Sequence, residues 1–90
     1  MTDEERVRRE RSFRGISRRL AIQYLETLGG EQTDDDHVEA DGWEATLSED
    51  SAQIGPSLTL TQVDVVFEGD PDSLDPLIEK FAQKAMRAGG

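Results

Sequence analysis

Between Val63 and Met86 the apolar spacing changes once, and that change restricts the fold more than any other feature of the chain. Val63, Val65 and Phe67 recur at every second position on one face, the period of a strand that buries one side. Leu74, Leu77, Ile78, Phe81, Ala85 and Met86 then fall on one stripe of a 3.6-residue helix. Asp70, Asp72, Ser73 and Pro76 crowd its start, where capping residues and proline belong. Lys84 and Arg87 suit the negative end of its dipole. Ninety residues hold one hydrophobic core, so strand and helix must bury their apolar sides against each other.

A second amphipathic helix is predicted from Ser17, its N-cap, to Gly29-Gly30, its stop. Leu20, Ala21, Tyr24, Leu25 and Leu28 share one face of it. "VEADGWEATL" predicts a hairpin turning at Asp41-Gly42 through a two-residue type I′ turn. That register pairs Ala40 with Trp43 and Val38 with Ala45, placing Leu47 on the same face, and sets Glu39 against Glu44 on the other. "EQTDDD" is expected as a solvated loop and "SEDSAQIGPS" as a connector. Leu58 and Leu60 fall opposite Val63, Val65 and Phe67 by strict alternation. Either the strand is buried on both faces near its start, or a bulge near Thr61-Gln62 switches its phase. The bulge is preferred, because Asp64 would otherwise share a face with the leucines.

Residues 1–12 read as a charged N-terminal arm or frayed helix, with Thr2 and Glu5 matching a capping box. A short strand over Arg11–Ile16 is the rival reading. Residues 13–90 read as a single α+β domain: a two-layer sandwich with a small, mainly antiparallel sheet and two helices on one face.

The chain carries 20 acids against 10 bases, a net charge of −10. Residues 1–19 hold seven arginines and four acids, or +3, and residues 20–90 three bases and 16 acids, or −13. Abundant acid with only Lys80 and Lys84 as lysines resembles proteins of salt-loving archaea, where salt screens carboxylate repulsion. The same charge tells against nucleic-acid binding. No cysteine is present, which removes thiolate catalysis, cysteine–zinc sites and iron–sulfur ligation. No apolar run approaches a membrane span, and "MTDEERVRRERSF" lacks a signal-peptide core, so a cytoplasmic location is expected.

Candidate sites are few. Asp34, Asp35, Asp36 and His37 do not match a ligand pattern and read as a solvated loop. His37 has no serine or cysteine at a recognisable elbow. Trp43 reads as core. Arg14, Arg18 and Arg19 could hold an anion or a partner beside a helix N-terminus. The arginine-rich start could dock an acidic partner, with internal pairing to the acidic body as the simpler reading. Gly89 and Gly90 are either a helix cap or an activatable glycine pair of the kind that ubiquitin-like modifiers and sulfur carriers present. No motif calls for a cofactor or a metal.

The segments "FRGISRRLAIQYLETLGG" (13–30), "GWEATL" (42–47) and "IGPSLTLTQVDVVFEG" (54–69) resemble the molybdopterin-biosynthesis MoaD-related C-terminal domain family of small prokaryotic proteins. The resemblance covers about half the chain and no catalytic motif. It implies association with sulfur-carrier or molybdenum-cofactor proteins, and carries over no functional residue except Gly89 and Gly90. The expected function is a small, non-catalytic accessory or protein-interaction domain with a protein partner. The alternative is a sulfur carrier or protein modifier activated at Gly90.

Overall fold

The computed structural model describes residues 6–53 and 55–89. Five strands and two helices follow one another as β1 (Val7–Arg14), α1 (Arg18–Thr27), β2 (Glu31–Asp34), β3 (His37–Ala40), β4 (Trp43–Gln53), β5 (Thr59–Gly69) and α2 (Pro71–Gly89). The strands form one sheet in the order β1-β5-β4-β3-β2, with every neighbouring pair antiparallel. Both helices cover one face, as the α+β sandwich requires.

The core is what the two periods specify. Val63, Val65 and Phe67 from β5, Ala45 and Leu47 from β4 and Val38 from β3 are buried against Leu25 of α1 and Leu74, Leu77 and Phe81 of α2. Phe81 is a hub: edge-to-face contacts join its ring to Phe13 at 4.8 Å, Phe67 at 5.8 Å and Tyr24 at 6.0 Å. Such pairs add to what burial alone supplies. Trp43 is only 7% exposed, so it is a core residue. The helical stripes need two amendments. Ile22 is buried as well, and Met86 lies outside the core at 73% exposure, although its neighbour Ala85 is buried.

Local chemistry sets the element ends. Ser17 caps α1, its hydroxyl accepting from the Leu20 N–H. Gly30 N–H donates to the Leu25 carbonyl and Gly29 N–H to that of Glu26, closing a Schellman motif with Gly29 at φ 108°. Pro71 opens α2, and the Leu74 N–H donates to the Asp70 carbonyl. Pro76 lies inside the helix, not at its first turn. It is exposed there, so water can reach the carbonyl its missing N–H leaves free.

Several expectations give way. Residues 7–12 are not arm or frayed helix but most of the edge strand β1, paired from Val7↔Gly69 to Arg14↔Gln62. Val7 and Phe13 anchor it on the helix-covered face, with Arg9 and Arg11 between them. The Thr2–Glu5 capping box lies outside the described residues. Most of "EQTDDD" is strand β2, wholly exposed and held by backbone pairing to β3. The connector is largely the outer half of β4, which stays in register with β5 out to Gln53↔Thr59. That unbroken register contains no bulge. Asp64 does share a face with Leu60, because that face is open to solvent and Asp64 is bonded there. Its Oδ1 accepts from Ser12 Oγ at 2.6 Å and Gln62 Nε2 at 3.0 Å. The hairpin register holds as read, with Ala40↔Trp43, Glu39↔Glu44 and Val38↔Ala45. The turn is not type I′, since Asp41 keeps a negative φ and only Gly42, at 91°, is positive.

Candidate functional site

The face of the sheet away from the helices carries the chemistry. Register places Glu31 of β2 beside Glu39 of β3, Glu39 beside Glu44 of β4, and Glu44 beside Glu68 of β5. Arg8 of β1 ends the row against Glu68. Four glutamates thus stand side by side across four strands. Like charges directly opposite each other oppose pairing, so this row favours whatever brings positive charge to it.

His37 sits two residues before Glu39 on β3, hence on the same face. Its Nε2 is 3.0 Å from Glu44 Oε1 and 3.1 Å from Glu39 Oε2, and its Nδ1 is 3.0 Å from Thr46 Oγ1. The other oxygen of Glu44, Oε2, accepts from the Arg6 guanidinium at 2.6 Å. The side chain is 22% exposed, and residues of β3 and β4 hold the ring in place.

Thr46, His37 and Glu44 have the connectivity of a hydroxyl, a base and a carboxylate. Acyl transfer also needs donors aimed at a developing oxyanion. Thr46 lies in the middle of the sheet, paired with His37 on one side and Val66 on the other, so the backbone N–H groups around it serve the ladder.

Sequence reasoning paired Glu39 with Glu44 but left His37 in the loop reading. The signal was there: residues two apart on a strand share a face, so His37 follows Glu39 onto the glutamate row. Asp34, Asp35 and Asp36 do not join it. Among the described residues His37 groups with Glu39 and Glu44 instead, while Asp35 and Asp36 form an exposed turn.

The three arginines singled out as anion contacts are not brought together. Arg14 is on the open face, its Nε donating to Gln62 Oε1 at 3.3 Å. Arg18 and Arg19 lie behind the sheet, lining an open groove of about 400 Å³ with Glu26, Asp35 and Glu49. Glu49 Oε1 accepts from the Arg18 N–H at 2.8 Å, so a carboxylate of the chain already occupies the helix N-terminus. The arginine-rich start pairs internally, Arg6 with Glu44 and, at 3.7 Å, Arg9 with Asp75 of α2. Gly89 is the last residue of α2, and Gly90 lies outside the described residues. Among the described residues no helix is long and apolar enough to cross a membrane.

A model of the archaeal MoaD-like protein family matches residues 9–90, nearly the whole chain. The chain belongs to that family. Membership relates this small domain to the sulfur-carrier or molybdopterin pathway and agrees with the resemblance read from residues 13–30, 42–47 and 54–69. A search of curated proteins finds no match.

Proposed function

We infer that this MoaD-like domain is a non-catalytic accessory module that docks the open face of its sheet on a basic surface of a sulfur-carrier or molybdopterin protein. The observation that carries the reading is the glutamate row Glu31, Glu39, Glu44 and Glu68, which among the described residues lies on the sheet face opposite the core packed under α1 and α2. An acidic row of this kind recognises a basic partner through charge complementarity, which sets specificity and encounter rate. The rival reading, a carrier activated at Gly90, requires a glycine pair on an extended segment. It fits less well with α2 remaining helical through Gly89.

Zero-length carbodiimide coupling in extract, read by mass spectrometry, tests the proposal. Carboxylates of the row should couple to lysines of sulfur-carrier or molybdopterin proteins. The double variant Glu31→Lys/Glu68→Lys, which leaves His37, Glu39 and Glu44 in place, should lose those links. Equal links from variant and parent would reject the docking face. An ATP-dependent thiocarboxylate or conjugate that disappears when Gly89 and Gly90 are deleted would establish the carrier instead.

A further inference from the structure

We propose that His37, Glu39 and Glu44 form a divalent transition-metal site, selective for zinc-like ions, on the open face of the sheet. The inference is independent of the docking reading.

Three potential ligand atoms converge, all within 4.8 Å of one another: His37 Nε2, an oxygen of Glu39 and an oxygen of Glu44. A ligating imidazole uses one nitrogen while the other is held by a neighbour, and ligating carboxylates are themselves hydrogen-bonded. The imidazole and one of the two carboxylates have such a support. Thr46 Oγ1 lies 3.0 Å from Nδ1, where it can accept that nitrogen's proton and leave the Nε2 lone pair facing the carboxylates. Arg6 holds Oε2 of Glu44 and leaves Oε1 turned to the histidine. With Nδ1 protonated, the Nε2 lone pair faces one oxygen of each carboxylate at 3.0–3.1 Å, and a cation placed between them is bound by all three groups.

The spacing suits such an ion. Metal bonds of about 2.0–2.1 Å around a tetrahedron set ligand atoms about 3.3 Å apart, so the two imidazole–carboxylate distances need to open only slightly. One nitrogen and two oxygens match zinc and its neighbours better than magnesium or calcium, which favour all-oxygen shells. Water completes the coordination on the exposed side. The like charge of Glu31 and Glu68 on either side of the ligands raises local cation concentration.

The chain has a single histidine, which makes its ring nitrogens a specific probe. The full chain, stripped with chelator and labelled with ¹⁵N, is titrated with Zn²⁺ in molar KCl and followed by histidine-detected NMR and calorimetry. One equivalent should move the His37 Nε2 resonance into the metal-bound range, with Nδ1 remaining protonated. Mg²⁺ at the same concentration should not. Glu44→Gln keeps the side-chain shape and should weaken binding at least tenfold, and His37→Gln should do the same. Glu79→Gln, remote on α2, should leave affinity unchanged. Zinc uptake equal in Glu44→Gln and parent, or a His37 ring that does not respond to zinc, would overturn the site.

Discussion

Gly30 shows how one residue serves two purposes. It closes the Schellman motif, and a Cβ built on it would come within 2.5 Å of Val38 Cγ1 and 2.7 Å of Trp43 Cη2. Both neighbours are buried, so neither can move freely. Gly30→Ala is expected to destabilise the domain by about 1–3 kcal/mol, the range for overpacking, in a urea titration. Trp43→Ala is expected to lose about 3–5 kcal/mol through cavity formation. Removing the indole also relieves one of the two clashes at position 30. The double variant should therefore be less destabilised than the sum of the single ones, and strict additivity would show that the two sites do not share packing.

At the scale of elements, β1 is held to β5 by backbone pairing, by Phe13 in the aromatic cluster, and by the Ser12–Asp64 bond. Ser12 first, then Gln62, hold the Asp64 carboxyl below the ordinary aspartate range, with slight desolvation opposing them. Because the folded value is the lower one, the contribution of Asp64 is present above its unfolded value of about 3.9. It is lost as pH falls through the folded value. Ser12→Ala should leave the acid side of the stability–pH curve shallower than in the parent, read by denaturant midpoints between about pH 3 and pH 7. Parallel curves would mean that the bond does not favour the charged carboxylate. Beyond the Gly15 N–H, which donates to the Thr61 carbonyl at 2.9 Å, the outer ends of β4 and β5 pair with each other out to Gln53↔Thr59. Leu58, just before β5, is 54% exposed there.

For the whole molecule, charge dominates. Strands of 11 residues span about 37 Å, and the domain is elongated, 54 × 23 × 20 Å, so its net charge of −10 is spread over a large surface for its size. The glutamate row concentrates part of that charge on one face. Raising KCl to about 1 M shortens the screening length to about 3 Å, so thermal midpoints should rise between low salt and molar KCl. A flat salt response would remove the halophilic reading of the composition. Neutralising the row, as in Glu31→Gln/Glu68→Gln, should reduce the salt dependence, because its repulsion is among the terms that salt screens.

Both helices and the β3–β4 register were legible because their signals are local. A period of 3.6, a cap and a glycine stop define α1. Asp41-Gly42 and the alternation around it define which residues of the hairpin face each other, even though the turn type differed. By itself, then, the sequence determined an α+β sandwich with Val38, Ala45, Leu47, Phe67 and Phe81 inside it. Tertiary structure decided the edges. β1 has charged residues at positions 9 and 11 of its inner face, and β2 buries nothing, so neither shows an apolar period; each is a strand because a neighbour offers unpaired backbone groups. It also decided the site. Glu31 and Glu68 lie 37 positions apart in the chain, and only the stacking of four strands turns scattered acids into a continuous row. Burial needs only a periodic pattern along one segment, whereas that row, and His37 held against it, depend on which strands become neighbours.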